Sequence, residues 1–447
     1  MDDKRVRNTR RKGSPNRKPQ GGATRNRREP SSSRTDRGAL LSRDNLSSDM
    51  RRNIFRGQVL EGGKGSQKVD YRHRLLRDKR IFIIPLILLI VFLASSKINS
   101  IREYHAYDVK WQTAQKTMNS NYEVFADGIL SYNKDGSSLL DANGAVIWQK
   151  AYTMNMPMLS ICDGYAVIYD KEGTNFYTYD KDGCIGEGKA NRPILKAVIA
   201  SQGVVATVQE ENTGGYNYIQ YYNKDGSALD IELRTTIADS GYPLDIDISS
   251  NGTQLIASYV YMDAGTVSNR ITFYNFDVGK SEPQRMVGTF SDYDQILVPQ
   301  VAFLGDEMAV TFGDGRIDFY TLENALKPER KESYSFDNKT VKSIFYNDDY
   351  AGVILDTGST SHELRLYDNS GKEVLKKEIN FEYEKVKLTG ENIVFLNDTS
   401  CQIYTLTGTL KYEGGFELDS VLKDVVSVSG KEYLVSTNNL AEVVRFK

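Results

Sequence analysis

The sequence has few of the residues on which many enzymes and disulfide-stabilised domains depend. Its 447 residues include 3 cysteines, 3 histidines, 2 tryptophans and 10 prolines. Cys162, Cys184 and Cys401 are too few, and odd in number, for a disulfide framework, so the fold must rest on its own apolar core. A single Cys162–Cys184 bridge and three free, buried or half-buried thiols are the two alternatives.

The scarce histidines argue against histidine-based catalysis. His73 lies in the N-terminal region, His105 follows an apolar run, and His362 falls in a predicted polar turn, and none has neighbours spaced as a triad or a metal cluster. The runs Asp180–Gly183 and Asn347–Asp349 lack the twelve-residue calcium loop with its final Glu, so we interpret them as capped turns. The sequence therefore predicts no catalytic residue and no metal site, and it identifies no cofactor-binding residue.

Charge is divided unevenly along the chain. Residues 1–80 contain 24 Lys and Arg against 9 Asp and Glu, a net +15, whereas residues 81–447 contain 33 against 50, a net −17. The first segment has almost no apolar clusters to offset its ordering entropy, so we predict a disordered basic tail over 1–80. Candidate partners of the tail are anionic lipid headgroups, a protein or nucleic acid. Alternatively, the tail has no partner and only determines the membrane topology of the chain. Its near lack of aromatic residues weighs against nucleic acid.

One apolar run is long enough to suggest a membrane segment. Ile81 to Ala94 is unbroken, and two serines extend the run to residue 96. As a helix these residues rise about 24 Å against a hydrocarbon core of about 30 Å, and the flanking Arg80 and Lys97 can reach the headgroups. We predict a single transmembrane helix over 81–97. We predict that it is an uncleaved signal anchor, because the charged region of a cleaved signal peptide is a few residues long and not about 80.

The flanks of this run predict its orientation. Five basic residues crowd the nine positions before it, whereas basic residues are sparse after it. The positive-inside rule therefore places the tail in the cytoplasm and the C-terminal domain outside the cell.

Beyond residue 120 a short signature recurs. A strand-like run that ends in Tyr is followed by a turn rich in Asp or Asn, which a Gly closes. Clear copies close at residues 183, 226 and 371, and looser copies close at 144, 279, 324 and 408. These spacings bracket the roughly 40–50 residues of a propeller blade. The Asp or Asn side chain caps the turn, and the Gly supplies the positive φ that a tight hairpin needs.

The strands around each signature predict the fold. Two strand-like runs precede it and one follows it, so each repeat predicts four antiparallel strands. The last repeat, Val421 to Phe446, has only three, and Tyr104 to Gln112 is predicted to supply the missing outer strand. We predict an all-β fold, a β-propeller of eight four-stranded blades over 121–447, with seven blades as the alternative. Residues 98–120 then form a juxtamembrane segment that contains the ring-closing strand.

One repeat carries a family resemblance. Leu140 to Trp148 reads Leu-Asp-Ala-Asn-Gly-Ala-Val-Ile-Trp and resembles the Leu-Asp-Ala-x-Gly-x-x-x-Trp blade motif of the quinoprotein-like (PQQ-type) β-propeller superfamily. That superfamily includes quinone-dependent dehydrogenases and non-enzymatic scaffolds of outer-membrane assembly. The dehydrogenases need a Trp platform, a calcium site and often adjacent cysteines, whereas this chain has only Trp111 and Trp148, both predicted on outer strands. The layout is also similar to an uncharacterised family of membrane-anchored proteins from Gram-positive bacteria.

Together these observations favour a non-catalytic role. We predict an extracytoplasmic binding or scaffold module of the cell envelope, without a cofactor, whose partner is an envelope protein or a surface polymer. A quinone-binding or other cofactor-binding enzyme is one alternative. A transmembrane sensor, in which an outer ligand changes the contacts of the tail, is another.

Overall fold

The computed structural model describes residues 84–87, 89, 102–112, 119–211, 215–263, 265–358, 361–417 and 420–447. The predicted tail over 1–80 lies outside the described residues. So does the predicted membrane helix over 81–97, apart from residues 84–87 and 89, which are helical. Within the described ranges, no helix is long and apolar enough to cross a membrane.

The described residues form eight antiparallel sheets of four strands each, which confirms the predicted eight-bladed propeller. Blades 1 to 4 follow the chain in simple order, because short hairpins join consecutive strands. Their strands are β2 (Asn121–Phe125), β3 (Gly128–Tyr132), β4 (Gly136–Leu140) and β5 (Val146–Ala151) in blade 1; β6 (Pro157–Cys162), β7 (Tyr165–Asp170), β8 (Asn175–Asp180) and β9 (Gly183–Lys189) in blade 2; β10 (Ile194–Ile199), β11 (Val205–Glu210), β12 (Tyr216–Tyr222) and β13 (Ala228–Thr236) in blade 3; and β14 (Tyr242–Ile248), β15 (Gln254–Asp263), β16 (Thr266–Asn275) and β17 (Met286–Asp294) in blade 4.

Blades 5 to 7 repeat this arrangement, and blade 8 takes its fourth strand from the start of the domain. Their strands are β18 (Gln300–Leu304), β19 (Met308–Phe312), β20 (Arg316–Thr321) and β21 (Glu329–Ser335) in blade 5; β22 (Thr340–Tyr346), β23 (Tyr350–Asp356), β24 (His362–Asp368) and β25 (Glu373–Ile379) in blade 6; β26 (Lys385–Thr389), β27 (Asn392–Leu396), β28 (Ser400–Thr405) and β29 (Leu410–Gly415) in blade 7; and β30 (Leu422–Ser429), β31 (Glu432–Thr437), β32 (Ala441–Phe446) and β1 (Tyr107–Gln112) in blade 8.

The strands of a blade are called A to D from the innermost to the outermost. Because neighbouring strands are antiparallel, the turns from A to B and from C to D lie at one face of the ring, called the A–B face. The turns from B to C and the connections from D to the next A lie at the other, called the D–A face. In blade 4 the C–D connection contains two 3₁₀ turns, Val278–Ser281 and Pro283–Arg285.

The ring closes through β1, as the alternation over Tyr104 to Gln112 predicted. β1 pairs with β32 from Tyr107 opposite Phe446 to Gln112 opposite Glu442, with a bulge before Trp111. The Trp111 indole donates a hydrogen bond to the Ala142 carbonyl of blade 1 at 2.7 Å. The same strand therefore completes blade 8 and holds it to blade 1.

The core lies between the blades. Eight clusters of buried apolar side chains each join two neighbouring blades, and one of them joins blade 8 to blade 1. The largest fully buried side chains are tyrosines and phenylalanines. Broad rings fill the space between two twisted sheets, which accounts for the abundance of Tyr in the sequence.

The recurring signature forms the C strand and the C–D turn, as its sequence indicates. The Asp368 carboxylate accepts hydrogen bonds from the Ser370 and Lys372 amides at 2.9 and 3.1 Å. Gly371 and four of its counterparts have φ between +80° and +137°. Gly279 is the exception, because the 3₁₀ turns of blade 4 replace the tight hairpin there.

Two local interpretations are decided by the fold. Cys162 lies on innermost β6 and Cys184 on outermost β9, and both are free thiols, so the alternative of a Cys162–Cys184 bridge is wrong. His362 was predicted in a polar turn but is the first residue of β24 and is buried. Its Nε2 lies 2.8 Å from the Lys342 ammonium, and its ring packs edge-on against Tyr383.

Candidate functional site

The innermost strands surround a central channel of about 940 Å³. Its walls come from the A strands of blades 1 to 7, and they carry aromatic, apolar and charged side chains. An A strand has no neighbouring strand on its channel side, so the backbone amides that point into the channel need side-chain or water partners. This requirement explains why acidic side chains occur on strands that are otherwise apolar.

One wall holds a buried ion pair. The Lys196 ammonium of β10 donates to the Asp245 carboxylate of β14 at 2.5 Å, and the other oxygen of Asp245 accepts the Val301 amide of β18 at 3.0 Å. Burial raises the pKa of Asp245, whereas Lys196 and the amide lower it. Burial lowers the pKa of Lys196, but Asp245 and the neighbouring acidic groups raise it by more, so the ammonium stays charged beside its carboxylate. The pair therefore ties three consecutive blades together and leaves no net charge.

Asp247, two residues further along β14, has no such cation. Its carboxylate accepts the Phe303 amide at 2.8 Å and the Ile248 amide at 2.9 Å. Burial beside the channel raises the pKa of Asp247 to about 7, against the opposing pull of Lys196. A half-buried carboxylate that faces a cavity and resists ionisation is typical of a ligand-binding position.

The mouth of the channel at the A–B face is acidic. Asp163 follows β6 and Asp348 follows β22, and both line the channel and are exposed. Although Asp348 reaches solvent, the surrounding channel wall partly desolvates its carboxyl and raises its pKa, and the nearby carboxylates of Asp163, Asp349 and Asp306 raise it further. Among the described residues no salt bridge involves Asp163, Asp247 or Asp348. The mouth thus carries negative charge that the described part of the chain does not neutralise.

Charge is paired where blades 7, 8 and 1 meet. Lys387 of β26 lies 3.0 Å from Glu123 of blade 1 and 3.4 Å from Asp424 of blade 8, and Lys385 lies 2.6 Å from Asp424. Lys171, in the turn after β7, lines the D–A end. The channel is therefore polar along its length, with its excess negative charge at the A–B end.

The channel offers binding groups and no activated nucleophile among the described residues. Burial, followed by Asp348 and Asp163, raises the pKa of the Cys162 thiol to about 12, so it stays protonated. Three or more His, Cys, Asp or Glu side chains do not converge as a metal site within the described ranges. Carboxylates around an open cavity instead suit a cationic ligand.

The tryptophans and the described histidines that the sequence analysis singled out do not line this channel. Trp111 and Trp148 lie on the outermost strands, as predicted, and their indoles donate to turn carbonyls at 2.7 and 3.2 Å. His105 is exposed just before β1. His73 lies outside the described residues. Sequence reasoning did not identify the channel carboxylates, although Asp245 and Asp247 interrupt an apolar strand on one side, which was an available signal.

The chain is similar in structure to several solved propellers. BamB from Moraxella catarrhalis shares 12% identity over 76% of this chain and 100% of that chain, with a TM-score of 0.47. Chaetomium thermophilum Sqt1, solved bound to the N-terminus of the ribosomal protein L10, shares 12% identity over 76% of this chain and 99% of that chain, also with a TM-score of 0.47. At these TM-scores neither likeness supports an argument about function.

The sequence comparisons give one match. No curated protein matches the chain in sequence. The profile of one family, described as "Family of unknown function (DUF5711)", matches residues 100–446.

Proposed function

The chain belongs to the family of unknown function DUF5711, and we propose that this member is a membrane-anchored binding module of the cell envelope. In this proposal the propeller is a non-catalytic scaffold. Its channel mouth at the A–B face holds a segment of a partner protein that carries Lys and Arg side chains.

The observation that carries this proposal is the unneutralised charge of the mouth. Asp163 and Asp348 face the cavity without a salt bridge to any described residue, and partial desolvation followed by the neighbouring carboxylates raises the pKa of Asp348. Each basic side chain that enters would form charge-assisted hydrogen bonds and relieve this repulsion. A rigid closed ring also presents these groups without an ordering cost on binding.

In-cell crosslinking tests the binding proposal. A photoreactive p-benzoylphenylalanine replaces Asp349 beside the mouth in the full-length chain, and mass spectrometry identifies the attached segment. We expect one dominant adduct, attached within a stretch of net positive charge, whose yield falls with rising salt because exposed charges are screened.

Matched charge removals complete this test. The double variant Asp163→Asn with Asp348→Asn should lower the adduct yield at least about tenfold, the effect of losing two charge-assisted contacts. Asp135→Asn with Asp398→Asn removes the same charge from exposed turns of the D–A face and should leave the yield unchanged. Equal yields in the two double variants, or an acidic captured segment, would refute binding at the mouth.

We further propose that residues 81–97 anchor the chain with its N-terminus in the cytoplasm and the propeller outside the cell. The support is the apolar run and the crowding of basic residues before it. Protease added to intact cells should degrade an epitope at the C-terminus and spare one at the N-terminus. Protection of the C-terminal epitope until the cells are lysed would contradict this topology.

A further inference from the structure

The first described residues of the domain meet the ring at its rim, between blades 7 and 8. The Tyr104 amide donates to the Lys411 carbonyl of β29 at 2.7 Å, and the Tyr104 ring lies parallel to that of Phe446 at 6.0 Å. β1 begins three residues later, opposite the end of β32. The chain therefore enters the propeller at the A–B face, outside the channel.

Basic side chains gather around this entry point. The ammonium groups of Lys411 and Lys431 lie 4.9 and 5.0 Å from the centre of the Tyr104 ring. Arg102 is exposed two residues before Tyr104. These four residues are called the Tyr104 cluster.

Two of the described acidic side chains around the cluster have cations, whereas exposed Glu103 and Glu417 form no salt bridge with a described residue. Asp108 pairs with Lys447, and Glu432 pairs with Lys110 at 3.4 Å, while Glu103 is exposed beside Arg102. Among the described residues no salt bridge involves Arg102 or Lys431. Lys411 is buried, and burial followed by the charge of Lys431 lowers its pKa, so the accessible cations of the cluster are Arg102 and Lys431. The cluster thus forms a positive surface on a domain whose net charge is negative.

The length of the chain before the cluster limits where this rim can lie. Only residues 98–101 separate the proposed anchor from Arg102, and five fully extended steps from Lys97 span about 17 Å at most. A domain of roughly 330 residues has a radius of gyration of about 20 Å. The tether is therefore shorter than the radius of the ring, so the entry rim is the part of the propeller that is held nearest the bilayer.

We infer that the Tyr104 cluster is a membrane-contact surface that binds the phosphate groups of anionic phospholipids in the outer leaflet. This inference rests on the anchor of the proposed function. Basic side chains at an anionic surface are attracted to it, whereas the acidic channel mouth is repelled. The two effects together favour a ring that stands on the rim of blades 7 and 8, with the mouth open to the side and accessible to a partner.

Hydrogen–deuterium exchange of the full-length chain in lipid nanodiscs tests this surface. One preparation contains phosphatidylcholine alone, and the other contains about one third phosphatidylglycerol. In the anionic discs, we expect amide exchange in residues 102–112 and 429–433 to slow at least about fivefold relative to the neutral discs, which is the effect of one basic residue at an anionic surface.

Two double variants separate this contact from a general charge effect. Arg102→Gln with Lys431→Gln should abolish the lipid-dependent slowing. Lys224→Gln with Lys372→Gln removes the same charge from C–D turns on the same face, in blades 3 and 6, and should retain it. Three results would overturn the lipid contact alone. The two variants could slow equally, inorganic phosphate could reproduce the slowing in neutral discs, or an inserted chain could show no slowing. Failure of the chain to insert in either disc would overturn the anchor and the inference with it.

Discussion

At the residue scale, Asp247 is expected to reduce stability near neutral pH. The pKa of its carboxyl is about 7 in the folded ring, against about 4 in an unfolded chain. Between these values the folded state holds a proton that the unfolded state has lost, so stability falls as the pH rises from 4 to 7. We predict that Asp247→Asn flattens this decline in urea denaturation at pH 5 and pH 7.5.

Asp127→Asn provides the comparison, because Asp127 lies exposed in the A–B turn of blade 1. That variant should keep the decline of the wild-type protein. An unchanged pH dependence in Asp247→Asn would show that Asp247 is ionised in the folded channel well below pH 7.

A second residue-scale prediction concerns the buried hydrogen bonds and ion pairs of Asp318, which join blades 4 and 5. Fully buried Asp318 accepts hydrogen bonds from the Tyr293 hydroxyl at 2.5 Å and from Arg316 Nε at 2.9 Å, and Arg330 lies 3.6 Å away. Asp318→Asn would leave two half-buried guanidinium groups with one fewer carboxylate. We expect the free energy of unfolding to fall by about 3 kcal/mol, measured by chemical denaturation.

The control for Asp318→Asn is Asp337→Asn, which alters an exposed turn in the connection from blade 5 to blade 6. Its effect should stay within about 0.5 kcal/mol. Equal stability of the two variants would mean that the arginines find solvent or other partners when Asp318 loses its charge.

At the element scale, the closing strand depends on one glycine. Gly144, in the C–D turn of blade 1, has φ +80°, and a Cβ there would lie 2.7 Å from the Trp111 ring of β1. Gly144→Ala therefore strains the turn and displaces the indole. We expect it to lower the free energy of unfolding by about 2 kcal/mol or more. Gly164→Ala, in an exposed turn with open space around it, should change stability little.

The same scale shows why the strands could be predicted from sequence. A hairpin is decided by residues within about four positions of each other, as in the Asp368 to Gly371 turn, where the side chain, the amides and the glycine are all local. The structure confirmed the predicted fourth strand of blade 8. That strand could be predicted because the alternation before Trp111 is also local. His362 was misplaced since polar neighbours resemble a turn, and only the packing of Tyr383 and Lys342 on it reveals its burial.

At the scale of the whole molecule, the ring is expected to require β1. A chain that starts at residue 102 keeps the pairing of β1 with β32 and the Trp111 contact, whereas a chain that starts at residue 113 exposes β32 as an edge. Exposed edges promote aggregation. We predict that the longer chain is monomeric in size-exclusion chromatography and that the shorter one melts at least about 5 °C lower, or aggregates. Equal melting temperatures for two monomers would show that the ring closes without β1.

The sequence by itself determined the repeat, the strands and the turns that join them, and it left eight or seven blades open, which the structure decided as eight. The strands and turns follow from hydrogen bonds and apolar alternation among residues that are close in the chain, whereas the pairing of β1 with β32 joins opposite ends of the domain. Only the tertiary structure decided which carboxylates share the channel and which lysines surround Tyr104. Lys196 and Asp245 lie 49 residues apart, and Asp163 and Asp348 belong to blades 2 and 6. Their proximity depends on the stacking and closure of eight twisted sheets, which no local pattern specifies.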